Sequence, residues 1–314
     1  MSEREIVCAD LNRAIDDLRR EGFRLDVIYP ADDPQAAVLS RGEETVQVAT
    51  PDAPPLSAGL PEFAPEFVLT RAGETPGQGR AGMLYRDLIP SRLGGRYIAS
   101  HISIPGGGQV ADWVHYHRVA LQMIFVRRGW VRVLYQDQGE PFVMNEGDLV
   151  LQPPGIRHRV IESSPGLEVV EISAPALHET FADHELTLPN GETGGLAYAG
   201  QHFLRHIAAD TPWTDFHGAE AQQTQLSNST CGIAEARLIR PGIAQEIAFS
   251  PHQGELVFGF VLDGTASLNG SELRSADAFV VPPDEPWTLG AMSLDFRLLH
   301  VTTARLDDGA GCAL

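Results

Sequence analysis

Two segments decide how this chain folds: GQVADWVHYHRVALQMIFVRRG, residues 108 to 129, and GDLVLQPPGIRH, residues 147 to 158. Both read as short β-rich stretches bounded by glycine and proline turns. His115 and His117 stand two apart on a predicted strand, so both rings face one side with β-carbons roughly 6.5 Å apart, a chelating pair. Gln122 follows His117 by an odd step, which would turn it to the opposite face of a continuous strand. A turn or bulge through Arg118 to Ala120 must therefore intervene before it can rejoin the same cavity. His158 comes just after the Pro153-Pro154-Gly155 turn, where a returning strand can complete the set. Three imidazoles and one amide oxygen suit a single divalent ion such as Fe, Zn, Ni or Mn, with positions left open for water or substrate.

Working outward, the segments RYIASHISI, LQMIFVRRG, WVRVLYQ, PFVMNEGDLVLQPP, HRVIE and LEVVEIS alternate and are separated by turn signals, an all-β pattern of a sandwich or barrel. A second block begins near Gly195 and repeats the first. His117, Gln122 and Gly129 find counterparts at His252, Val257 and Gly264, while Pro153 and Pro154 answer to Pro282 and Pro283 with a shorter hairpin between. Internal duplication of one barrel is the economical reading.

The two opening segments match the signature motifs of the cupin superfamily, G-x5-H-x-H-x3-4-E-x6-G and G-x5-P-x-G-x2-H. The second matches at every fixed position; the first departs at the glutamate and by one extra residue after Gly108. The chain resembles a bicupin: mainly β, two jelly-roll barrels, the first over residues 81–185 and the second over 195–305, with a seam between them. The resemblance implies that His115, His117, residue 122 and His158 hold a divalent metal inside the first barrel. Glutamine in place of the family's glutamate leaves the site at about +2 instead of +1, which favours an anionic chelating small molecule as substrate and removes a carboxylate that could act as a general base. The second barrel has Ser250, His252, Val257, Asp284 and Trp287 at the aligned places, and one imidazole does not hold a metal. It reads as a filled, structural and dimerising copy.

Residues 1–52 read strand, helix and three strands, with Leu11, Ile15 and Leu18 on one helix face and Gly22 at its stop. This α+β βαβββ unit resembles half of a glyoxalase-like, vicinal-oxygen-chelate module. Those folds place their ligands on strands, and this unit carries no histidine, so a docking or dimerising role is expected. Residues 53–80, dense in proline and glycine, read as a linker that wraps a neighbouring domain through Phe63, Phe67 and Leu69.

Composition narrows the remaining classes. Lys and Arg number 23 against 42 Asp and Glu, a net charge of −19, which argues against nucleic acid and anionic membrane as partners. No apolar run approaches the length of a membrane span, and MSEREIVCAD lacks the features of a signal peptide, so cytoplasmic residence is expected. Cys8, Cys231 and Cys312 show no paired spacing and read as bland thiols. Trp113, by parity with His115, and Arg128, by parity with Gln122, are candidates for the pocket lining, as is His101 on YIASHISI. His178, Asp183 and His184 have no useful metal spacing.

The function these features point to is an enzyme, a mononuclear Fe(II) dioxygenase of a small aromatic or β-dicarbonyl anion, working as a homodimer. A Zn-dependent cyclase or isomerase of polyketide-cyclase type, and a non-catalytic small-molecule binding or sensing bicupin, are the alternatives.

Overall fold

The computed structural model describes residues 2–55, 59–73, 77–78, 83–244 and 246–306. The amino-terminal unit is the strand Ser2–Val7, the helix Leu11–Arg20 and the strands Arg24–Tyr29, Ala36–Arg41 and Glu44–Ala49. Asp10 caps the helix by accepting from the Arg13 amide at 3.0 Å, and Arg19 and Arg20 complement the dipole in the last turn. Leu11, Ile15 and Leu18 recur at helical spacing and bury themselves against Leu39, Val46 and Val48 of the sheet. The first strand pairs parallel to the fourth, and the other two follow by antiparallel pairing.

This small sheet does not end at its own edge. Arg24–Tyr29 pairs with Thr180–Ala182, which pairs with His115–His117, then His158–Ser163, Trp130–Tyr135 and Phe142–Asn145. One wall of the first barrel is thus an extension of the amino-terminal sheet. The opposite wall contains Leu204–His206, Leu149–Leu151, Leu121–Arg128, Leu167–Ala174, Ile98–Ile104 and Leu84–Asp87 in that order. The second barrel pairs a sheet centred on Ala234–Arg240, Arg297–Thr303 and Leu256–Asp263 with a smaller one made of Glu246–Phe249, Trp287–Gly290, Thr265–Leu268 and Ser271–Arg274.

Strand exchange ties the barrels together. Val68–Thr70, within the stretch read as linker, pairs with Ala278–Val280 of the second barrel. Leu204–His206, within the stretch assigned to the second barrel, pairs with Leu149–Leu151 of the first. The sequence boundaries at 80 and 195 therefore cut across sheets, because edge strands are recruited by backbone pairing that leaves little trace in hydropathy. Residues 56–58, 74–76 and 79–82 of the stretch 53–82 lie outside the described residues.

The strands between the barrels are buried on both faces. Leu121, Met123 and Phe125 meet Leu256, Phe258 and Phe260 in a common core, while Ile124 and Val126 turn into the first barrel. In the second barrel Val257, Phe279 and Trp287 fill the interior, and a Cβ at Gly259 would come within 2.2 Å of the Phe279 ring. Phe249 stacks on Trp287 at 3.8 Å. Burial, with Arg237 and His252 close by, drives the imidazole of His300 down to about 3, so that ring is neutral.

Polar clasps cross the same interface. Arg96 grips Glu255 with two hydrogen bonds of 2.9 and 2.7 Å, and Tyr97 donates to the same carboxylate at 2.9 Å. Glu168 accepts from His101 Nε2 at 2.9 Å and from Arg127, whose guanidinium also reaches the Leu262 carbonyl. Cys8 is a free thiol but Cys231 is disulfide-bonded, so the reading of bland thiols fails at Cys231. No helix among the described residues is long and apolar enough to cross a membrane.

The Glu255→Gln substitution leaves the Arg96 charge buried without its counterion and should cost about 3–5 kcal/mol, read as a lower urea midpoint. Glu168 offers a pH test. The hydrogen bond from His101, followed by the Arg127 charge, lowers its carboxyl from 4.5 to about 2. Its stabilisation is present above the ordinary carboxyl value and is lost as the pH falls toward about 2. Acid unfolding of Glu168→Gln should be shallower over that window than that of the native chain.

Candidate metal centre

The segment HYH forms the strand His115–His117, and residue 115 stands directly opposite His158 on the neighbouring strand. The chain leaves the strand at Arg118 and begins a new one at Leu121, which returns Gln122 to the barrel interior. One ring nitrogen from each of His115, His117 and His158 lies within 4.8 Å of the other two, and all three residues are buried. Ring centroids are 4.2 to 5.2 Å apart.

The outer side of each ring is engaged. His115 Nδ1 lies 2.7 Å from the Trp113 carbonyl and His158 Nδ1 lies 3.1 Å from the Ile156 carbonyl. A carbonyl only accepts, so each Nδ1 carries the proton and each Nε2 presents its lone pair. His117 Nδ1 meets the Thr180 hydroxyl at 3.0 Å, and Asp112, which accepts from the Val160 amide, lies 3.5 Å from His115 Nδ1. Fixing the tautomer from outside is how metal-ligating histidines are oriented, and lone pairs gathered in a buried space call for a cation between them. The donor set therefore fits a divalent ion, and His115, His117 and His158 would hold it.

The rings face a cavity of about 110 Å³. Its walls are apolar, with Ile98, Ile124, Val131 and Val169 among them, and Gln122, Tyr135, Gln152 and Glu171 form a polar arc. Gln122 Nε2 donates to Glu171 Oε1 at 2.8 Å, and the Ser173 hydroxyl donates to the same oxygen at 3.2 Å. Tyr135 stacks near His158 at 5.5 Å; burial, with the Glu171 charge nearby, raises its phenol far above the ordinary value. His178 Nδ1 is tied to the Pro175 carbonyl at 2.9 Å, its buried Nε2 has no hydrogen-bond partner among the described residues, and its ring lies 5.5 Å from His117.

Three expected lining residues lie elsewhere. Ile98, Ser100 and Ile102 line the cavity, so the alternation of the strand turns His101 outward, to Glu168 and to Phe260 at 5.5 Å. Trp113 lies before the strand His115–His117, outside its alternation, and packs against the amino-terminal core. A register shift between Val126 and Arg128 ends the parity argument there, and Arg128 is exposed beside Glu168 and Asp263. Glu171 and Tyr135 escaped the sequence reading although parity could have found them: Leu167, Val169 and Glu171 alternate inward on one strand, and Val131, Val133 and Tyr135 on another. His178 follows the last barrel strand, where no periodicity applies.

Residues 100–172 match the family model described as Cupin domain. The fold and the three-histidine site define a cupin barrel. No curated protein matches the sequence. Among solved structures, protein YlbA from E. coli shares 12% identity at a TM-score of 0.54, covering 79% of this chain and 94% of that one. A putative glyoxylate-induced protein from Pseudomonas aeruginosa shares 14% at 0.57, with 80% and 94% covered, and oxalate decarboxylase from Bacillus subtilis 11% at 0.55, with 78% of each. At such identities these likenesses speak to the fold alone.

Part of the cavity lining comes from outside the barrel. Ala31 and Asp32, in the loop after the second strand of the amino-terminal unit, line the cavity, and Asp32 is held at 2.7 Å by Arg92, which also bonds Asp87 at 3.2 Å. Release of this clasp by Arg92→Ala should speed the removal of bound metal by a chelator severalfold while equilibrium affinity stays unchanged. A stopped-flow chelator assay decides it; an unaltered rate would show that the loop does not control entry.

Proposed function

We propose that the protein is a metal-dependent cupin enzyme whose single divalent ion is held by His115, His117 and His158 and acts on a small molecule in the first barrel. The observation that carries this reading is the convergence of the three imidazoles with the Nδ1 sides of His115 and His158 committed to backbone carbonyls. When bound, such an ion supplies a Lewis acid and, if it is iron, one-electron chemistry with dioxygen. The chain's own part is to hold the rings, to exclude bulk water with the apolar wall, and to orient the substrate through the arc of Gln122, Gln152, Tyr135 and Glu171.

The reading we favour is an Fe(II) dioxygenase of a small aromatic or β-dicarbonyl anion, since imidazole donors suit iron among other ions and leave positions open for an oxygen chelate and dioxygen. A Zn-dependent cyclase or isomerase is the second reading. It is favoured by His178 Nε2 and Glu171, two acceptors beside the site able to take a proton from a polarised substrate. For the whole chain we propose a bicupin preceded by half of a glyoxalase-like module, with Gln122 as a substrate-orienting amide or a further ligand.

Elemental analysis of protein purified without chelator tests the reading. One equivalent of metal is expected, lost in His117→Ala and in His115→Ala/His158→Ala. Iron together with oxygen uptake on a panel of catechols and β-diketones supports the dioxygenase; zinc with oxygen-independent turnover supports the second reading. No bound metal, with the stability of His115→Ala/His158→Ala unchanged, would overturn both.

A further inference from the structure

The first signature segment carries Gln122 where the cupin pattern has glutamate, and taken alone that exchange implies a cavity without an acid. The fold supplies one from a neighbouring strand. Glu171 lines the cavity on Leu167–Ala174, the strand that pairs with Leu121–Arg128, where Gln122 stands opposite Ser173. An ionised carboxylate can only accept, so the hydrogen bond between residues 122 and 171 fixes the amide with its nitrogen toward Glu171. Ser173 braces the same oxygen, Oε1. Among the described residues the hydrogen bonds to Glu171 reach Oε1 and not Oε2. The group united within 4.8 Å consists of the three histidines without Glu171. The carboxylate therefore stands outside the direct ligand set, on the wall of the same cavity.

We propose that Glu171, positioned by Gln122 and Ser173, determines the substrate class of this site. Its free oxygen accepts a hydrogen bond from the bound molecule, and its charge repels a second negative charge there. The preferred substrate is then a small neutral or singly charged oxygen chelate that carries an O–H or N–H beside the metal-binding oxygen. Dianions are disfavoured, although a neutral residue at 122 taken alone would welcome them. This inference rests on the metal reading given above.

The test loads the full chain with one equivalent of zinc and measures calorimetric affinity for two probes: acetohydroxamate, which carries a proton donor, and oxalate, a dianion without one. In Glu171→Gln, oxalate should bind about tenfold tighter and acetohydroxamate severalfold weaker than in the native chain. The shorter acid Glu171→Asp keeps the charge and loses the reach, so only acetohydroxamate affinity should fall; it also serves if the glutamine variant does not fold. Affinities for both probes within twofold of native in the foldable variant would overturn the proposal. If the native chain takes up no zinc, or His115→Ala/His158→Ala retains it, the metal reading has failed instead, and that outcome is read before any probe is added.

Discussion

His115 and His158 each donate an Nδ1 proton to the backbone carbonyl two residues before them, at Trp113 and Ile156. That local bond is what turns two strand residues into a pair of inward lone pairs, because a ring so pinned can rotate no further and has one tautomer. The cross-strand register of 115 with 158 then brings the two rings to a centroid separation of 4.2 Å. His117 completes the group because alternation returns it to the same face, where Thr180 holds its outer nitrogen. The other parts of the molecule serve this arrangement by keeping three strands in register and water out.

The two barrels differ at one layer. Leu121, Met123 and Phe125 in one and Leu256, Phe258 and Phe260 in the other face each other and share a core, so both are held to large apolar side chains. The inward positions escape that constraint. In the first barrel they carry Gln122 and Ile124 around a cavity; in the second, Val257 and Gly259 make room for Phe279, and Trp287 stacks on Phe249. These aromatic rings take up interior positions of the second barrel that in the first border the cavity.

The histidine positions were legible because metal ligation on a strand demands a two-residue step, and HYH displays it. The β-rich character of the barrels and the βαβββ order of residues 2–49 were legible from alternation and from the helical spacing of Leu11, Ile15 and Leu18. What failed did so where a single side chain's direction depended on events elsewhere. A bulge between Val126 and Arg128 reversed one parity argument, and the docking of the amino-terminal sheet claimed Trp113 for another core. Glu171 was hidden for a different reason: motif reasoning follows one strand at a time, whereas the acid lies on the strand next door. The strand exchange that places Val68–Thr70 on one barrel and Leu204–His206 on the other has no local signature at all.

Thr180 stands at a seam with two obligations. Its hydroxyl meets His117, while its backbone and that of Phe181 pair with Ile28 and Val27 of the amino-terminal sheet. Trimming the first fifty residues would thus strip a strand of its neighbour, bare a row of amides and carbonyls, and slacken the support beneath one imidazole in the same stroke. The small appendage and the large barrel share one continuous sheet, so neither keeps that edge covered without the other.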